Sequence, residues 1–540
     1  MTHLPSLGEA LGLVVLVAAV VLGSGLNRYP VWEPDEARHA EIGREMLAAP
    51  GWEGWVAPTL NGEPYRNKPA PFYWLLGGAF ALLGVNERAA RLVPAMSGLA
   101  TVVAVSWWAA ERWGTRAAVI AGIVLVTALQ FAVLGRFVSP DMTLTLWTTL
   151  GILAMERFTE RPGSSLVPAA VAAGLGVLSK GLVAPIVIGS VGLAYLAARH
   201  RLGLLTPRRI LSAVVVFLAL VAPWHVAATL LDPGYLHQLY VDQHWRRLAA
   251  TGRRLHTQSV LFYIPVLLAG FFPWSTLLPA SLLATLRRER RGAPELLCGL
   301  WAGLVLLLFS LARGKLPPYI LPAFPPLALL TARHLERVVR GGDSARERRL
   351  TRAGLWVAAG VLVVSVPVVI GIAVRMYDGV LVQPSLGSLV VLPVAAAIVL
   401  LLRRGRVPEA ALATAAGTAT LLVLFYTVGA PRLADFSSPV FLARTVAETP
   451  GQSAAPLVGF HVRSPAMSFY LGRPMMLLDR PRALRALLAE HELVFVVTSP
   501  EHVPQLLASG PFVPWQIGAR RSLYASRLPV NLDSLDHAAR

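Results

Sequence analysis

Apolar runs close to a bilayer's thickness recur from Leu11 to about Tyr426, and no soluble fold has a use for so many. Hydrophobic residues make up 55% of the chain and charged residues only 15%, so the charges left over are informative by position. The runs place candidate spans at roughly 8–26, 89–109, 116–134, 141–156, 165–180, 182–199, 210–230, 259–284, 294–312, 317–336, 353–374, 386–402 and 408–428. The expected fold is an all-α polytopic membrane protein of about 13 transmembrane helices, followed by a small α/β domain.

Arginines mark the orientation. Arg112/Arg116, Arg157/Arg161, Arg199 to Arg209, Arg287 to Arg291, Arg337 to Arg352 and Arg403/Arg404/Arg406 fall in alternate loops, which should be cytoplasmic. The loop around Asp35, the turns at 136–141 and 313–318 and the loop 232–258 then lie outside, as does the tail. The formal charge of +19 does not argue for nucleic acid, because the basic clusters sit in short gaps between apolar spans. The start of the chain has no basic n-region, so the first span is expected to be retained rather than cleaved. A single cysteine, Cys298 in an apolar run, excludes an intramolecular disulfide and reads as a buried, inert thiol.

The expected domains are a membrane domain over 1–428, whose first outer loop is 27–88, and an outer domain over 429–540. In the tail, the runs at 456–460 and 493–498 are too short to span and read as buried strands. Segments 483–491 and 501–508 read as helices between and after them.

The densest carboxylate cluster, Trp32-Glu33-Pro34-Asp35-Glu36-Ala37-Arg38 through Glu41, Arg44 and Glu45, opens the first outer loop. Asp35 is placed to cap a short amphipathic surface helix, with Ile42 and Met46 at helical spacing. The plain alternative is a solvated charged face. Glu36 and Glu41 are expected to hold Arg38 and Arg44.

Of 49 basic residues only Lys68, Lys180 and Lys315 are lysines, and all three fall at outward ends of expected spans. A compact ammonium suits a phosphate there, whereas a lone interfacial lysine otherwise merely snorkels. Lys68 follows Tyr65-Arg66-Asn67 and precedes two prolines and an aromatic helix. The turn Arg136-Phe137-Val138-Ser139-Pro140-Asp141 offers a second acid, although Ser139 or Asp141 is also a natural helix cap. The turn Arg313-Gly314-Lys315-Leu316-Pro317-Pro318-Tyr319 adds cations and no carboxylate. Loop 232–258 carries His237, Asp242, His244, Arg246, Arg247, Arg253, Arg254 and His256. His237 and His244 match no tight ligand spacing, so a basic loop over an anionic substrate is the better reading, with a divalent metal left open.

Taken together, Asp-Glu-x-Arg-x-Ala-Glu-Ile-x-Arg-Glu-Met (35–46), Tyr-x-x-Lys-Pro (65–69), Ser-Pro-Asp (139–141), Leu-Ser-Lys-Gly (178–181) and Gly-Lys-Leu-Pro-x-Tyr-x-Leu-Pro (314–322) resemble the GT-C class of membrane glycosyltransferases. The pattern is most similar to the bacterial aminoarabinose transferases of lipid A, akin to protein O-mannosyltransferases. The position before the loop lysine is often acidic in those enzymes and is Asn67 here, which weakens any carry-over of a metal site.

The resemblance implies transfer of a sugar from a polyprenyl-phosphate carrier, outside the cytoplasmic membrane, to a lipid, glycan or protein acceptor. It implies Asp35, Asp141 and Glu36 as candidate catalytic acids. Arg38, Lys68, Tyr65, Arg136, Arg246, Arg313, Lys315 and Tyr319 are then candidate substrate contacts. No cofactor is firmly implied. The rival reading is a transporter or flippase for a lipid-linked sugar. Transporters place ionisable groups and broken helices near the midplane, whereas here the polar groups collect at one face.

Overall fold

The computed structural model describes residues 6–161, 163–245, 258–286, 292–376, 386–448, 455–517 and 521–526. These divide into two compact units: 1–26, 66–75 and 91–429 form the first, and 27–65, 76–90 and 430–540 the second. The second unit therefore takes in most of the first outer loop together with the tail.

The first unit is helical. Five helices among the described residues are long and apolar enough to cross a membrane: Glu87–Trp113, Pro207–Leu231, Ala293–Leu311, Ala345–Ile372 and Val407–Ala434. A sixth crossing comes from Val260–Gly270 and Trp274–Thr285 if that pair, bent by 108°, counts as one span. All thirteen expected segments overlap helix, but the count by length and apolarity stops at five or six rather than thirteen. Thr115–Thr127 shows why, since its 13 residues rise only ~20 Å against a hydrocarbon core of ~30 Å. Pro140–Glu160 is long enough but carries Asp141, Glu156, Arg157 and Glu160.

Small residues let the short helices approach closely. A Cβ on Gly151 would come within 2.3 Å of Ile188, and one on Gly176 within 2.2 Å of Ala184. That fixes Pro140–Glu160 and Val167–Lys180 against Val183–Ala198. The helix Val167–Lys180 stops at Gly181, whose φ of +92° ends the α-helix and starts the next.

Buried arginines finish the C-terminal end of the Leu7–Gly23 helix. Arg136 donates to the carbonyl of Val21 at 2.7 Å and to that of Ser24, and its guanidinium lies 3.6 Å from the Tyr426 ring centre. Arg91 donates to Leu26 O at 2.9 Å. These groups satisfy carbonyls that the helix end leaves without partners.

The second unit holds a small hairpin, β1 (Thr59–Leu60) and β2 (Glu63–Pro64), and a five-stranded sheet. The sheet contains β3 (Leu457–Phe460), β4 (Met476–Leu478), β5 (Phe495–Thr498), β6 (Val513–Ile517) and β7 (Ser522–Ala525), in the order β4-β3-β5-β7-β6. β4, β3 and β5 are parallel, with Val458 opposite Met476 on one side and Val496 on the other. β7 and β6 add antiparallel. The expected strands at 456–460 and 493–498 are β3 and β5, and the expected helix at 483–491 is Pro481–Glu490. Parallel strands need crossovers, and Pro465–Leu471 and Pro481–Glu490 supply them. Every residue of β3 and β5 is buried, the signature of a strand covered on both faces.

Candidate active site

In the second unit, Asp35–Ala48 is a helix, but Asp35 is its first residue and not its cap. Pro34 occupies the cap position, with no side-chain capping bond. Asp35 instead pairs with Arg38 one turn on, and its side chain is 58% exposed. The expected Asp35 cap is thus corrected. Glu36 is buried, and its carboxylate accepts the Trp32 N–H at 2.8 Å, upstream of the helix. Arg38 pairs with Asp35. Glu41 and Arg44 do meet, in two bonds of 2.7 Å.

Glu33, singled out by no sequence argument, is the anchor of this unit. Its carboxylate accepts from the Ser464 hydroxyl, the Ala466 N–H at 3.0 Å and Arg521. Tyr65 is buried, and its N–H closes the small hairpin onto Pro58 O at 2.8 Å. Glu45 braces the same hairpin through the N–H of Asn61 at 2.6 Å.

In the first unit, Asp141 and Lys180 form a buried ion pair, 11% and 8% exposed. The local sequence explains why they meet. Asp141 lies in the first turn of Pro140–Glu160, where the helix dipole favours an anion; Ser139 is the cap and accepts the Asp141 N–H. Lys180 ends Val167–Lys180, where the dipole favours a cation. The next helix in the chain runs back antiparallel, so the acidic start of one lies beside the basic end of the other. The Lys180 ammonium also lies 4.8 Å from the Tyr319 ring centre. Tyr319 stands in the short 3-10 helix Pro317–Ala323, which packs on Pro140–Glu160. Sequence reasoning named Asp141 and Tyr319 as candidate site residues and noted Lys180 as a lysine and a motif member without pairing it with either. Its signal was that it is one of only three lysines.

Two expected substrate cations have other duties. Arg136 is buried among the carbonyls it holds. Lys315 is buried as well and donates to Ala312 O and to Gln258 O at 3.1 Å, and burial lowers its pKa. Both bond carbonyls at helix and loop ends. Arg313 is exposed and stays a candidate contact. Arg246, with Arg247, Arg253, Arg254 and His256, lies outside the described residues. His237 is exposed on the π-helical segment His237–Trp245, which also contains His244. Among the described residues no group of three His, Cys, Asp or Glu is placed to hold a metal. Cys298 is buried, as expected.

Lys68 is half-buried on the segment before the helix Pro71–Leu83. Its carbonyl accepts the Tyr235 hydroxyl at 2.7 Å. Beside it, Arg66 pairs with Asp232 at 2.5 Å, and the Gln238 amide donates to Asn67 Oδ1 at 3.3 Å.

Residues 67–226 match the model of the dolichyl-phosphate-mannose-protein mannosyltransferase family. That stretch contains Lys68, Arg136, Asp141 and Lys180 and leaves out Asp35. Across 96% of its length the chain superposes on 98% of the aminoarabinose transferase ArnT of Cupriavidus metallidurans, crystallised bound to undecaprenyl phosphate, with 27% identity and a TM-score of 0.80. The Archaeoglobus fulgidus oligosaccharyltransferase shares the fold alone, at 13% identity and a TM-score of 0.54 over 97% of this chain and 75% of that one. This is the GT-C fold.

Curated relatives agree with the GT-C assignment. An Enterobacter protein named undecaprenyl phosphate-α-4-amino-4-deoxy-L-arabinose arabinosyl transferase is 33% identical over 57% of this chain. Its Erwinia tasmaniensis namesake is 32% identical over 62%. The matches span 56% and 61% of those two relatives' own lengths. The chain crosses the membrane several times.

Proposed function

We propose that this protein is a membrane glycosyltransferase that takes a sugar from a polyprenyl-phosphate carrier and passes it to a lipid, glycan or protein acceptor at the outer face of the cytoplasmic membrane. The observation that carries the reading is the likeness over nearly the whole of both chains to a protein crystallised with undecaprenyl phosphate. The relatives named for an undecaprenyl-phosphate aminoarabinose donor support the same donor class and a lipid acceptor.

The chemistry asks for a cation at the leaving phosphate and a carboxylate at the acceptor hydroxyl or the oxocarbenium-like sugar. Lys68 is assigned to the phosphate, with Arg313 and Arg246 as further cations. Asp35, exposed on its helix, is assigned to the acceptor side. Asp141 contributes as half of the Lys180 pair, with Tyr319 beside it, and Arg38 orients Asp35.

The direct test is transfer by purified protein in detergent from a polyprenyl-phosphate sugar. Mass spectrometry of envelope lipids and glycans from a deletion strain names the sugar and the acceptor. The bent helix pair and the buried Asp141–Lys180 pair are features that a transporter would also show. Detergent removes the two compartments a transporter needs, so detected transfer excludes that reading.

Orientation gives a separate expectation. The arginine-rich loops place Met1 inside and the second unit's sheet outside. Reporter fusions after Arg406 and after Arg432 are expected on opposite sides of the membrane. If both report the same side, the outward assignment fails.

Lys68→Ala is expected to weaken use of the carrier by about ten- to a hundredfold, the worth of one charge-assisted hydrogen bond, with little change in thermal stability. Unchanged turnover in a well-folded Lys68→Ala protein removes Lys68 from the site.

A further inference from the structure

Three successive residues, Arg66, Asn67 and Lys68, are each held by the segment that follows the Pro207–Leu231 helix. Asp232 takes the Arg66 guanidinium at 2.5 Å, the Gln238 amide donates to the Asn67 side chain at 3.3 Å, and the Tyr235 hydroxyl donates to the Lys68 carbonyl at 2.7 Å. All of these residues belong to the first unit.

The segment is itself fastened to the membrane helix. The buried Tyr235 ring meets Trp224 edge-on at 5.5 Å. Tyr240 bonds His225 Nε2 through its hydroxyl and stacks on the imidazole, with ring centres 5.7 Å apart and planes within 10°. Trp224 and His225 lie in Pro207–Leu231, so the chain from 232 to 240 is anchored to a membrane helix on one side and to the lysine's own backbone on the other.

We infer that residues 232–240 form a clasp that presets Lys68 for the carrier phosphate, with Asp232, Tyr235 and Gln238 as positioning residues. The inference rests on the assignment of Lys68 above. A lysine on a flexible loop loses backbone and side-chain freedom each time it binds a ligand. Fixing residues 66 to 68 in advance lowers that cost and strengthens donor binding without adding a contact to the donor. The clasp acts through Lys68, so its loss should appear in the apparent affinity for the carrier.

Tyr235→Phe removes one hydroxyl and leaves the ring against Trp224. Asn67→Gln and Gln238→Asn each change the reach of the amide pair, and the double variant restores the total length. Two measurements are made on full-length protein in detergent: transfer against polyprenyl-phosphate sugar concentration, and hydrogen exchange of the backbone at 66–73.

Tyr235→Phe is expected to raise the donor KM by about three- to tenfold, with kcat within about twofold and faster exchange at 66–73. Each single amide variant should behave alike, and the exchanged pair should recover most of the loss. Unchanged exchange and unchanged donor KM in Tyr235→Phe overturn the clasp, as does a double variant no better than its singles. Lys68→Ala run in parallel separates the two ideas. If it leaves the donor KM unchanged while Tyr235→Phe still loosens 66–73, then the role of Lys68 has failed and the clasp has no phosphate contact to preset.

Discussion

Asp35→Asn is expected to fold normally, reach the membrane and lose at least about two orders of magnitude in sugar transfer, the usual cost of losing a general base. The structure makes the substitution cleaner than a capping role would have done. Asp35 caps nothing, and its one described ion pair is with Arg38 a turn away on an exposed surface. Such a pair contributes a few tenths of a kcal/mol, so the stability of Asp35→Asn should be close to that of the parent. Amide and carboxylate are nearly the same size, and only the carboxylate accepts a proton. Transfer from a polyprenyl-phosphate donor is measured beside a thermal melt in the same detergent. Near-normal transfer would falsify the assignment and leave Asp141 as the acid to test.

The second large effect is expected at the Asp141–Lys180 pair. Lys180→Met leaves a carboxylate buried without its cation, and breaking such a pair costs about 3–5 kcal/mol. Asp141→Leu should do the same to the ammonium, and low yield or a much lower melting temperature is the expected result for each. Replacing both residues together with apolar ones of similar volume is often neutral, so the double variant should recover most of the stability. The recovered protein then answers a different question. If the pair belongs to the site, transfer stays at least about tenfold down although the fold is restored. A double variant with full stability and full transfer makes the pair a structural clamp and nothing more. Single variants as stable as the parent would mean that the pair is not desolvated as described.

The contrast between these two acids shows what the sequence makes legible. Apolar runs mark helices reliably because a membrane or a core demands them, and all thirteen segments are helical. The buried strands β3 and β5 are legible for the same reason, as short unbroken apolar runs. The number of crossings is less legible, because a 13-residue apolar helix packed inside a bundle looks like a short span.

Side-chain partners are the hardest to read. Asp141 and Lys180 are 39 residues apart, and nothing local to either announces the other. Arg136 and Lys315 read as ligand cations from their turns, and the carbonyls at helix and loop ends that they bond are not legible from those turns. Asp35 looked like a cap because the residue type favours it, yet Pro34 holds the cap position and Glu36 reaches back to Trp32. Composition along the chain does not show that the loop near its start falls into one compact unit with the tail.

Glu33 also sets an order of assembly. It leaves the ribosome early, but Ser464 follows it by 431 residues and Arg521 by 488. Its side chain is 9% exposed in the finished unit, so before those partners exist it has to remain in water. The helix that begins two residues later, with Asp35 at its head, therefore reaches its final setting only when synthesis is nearly over. A chain interrupted before Arg521 would leave Glu33 without the cation that pairs with it.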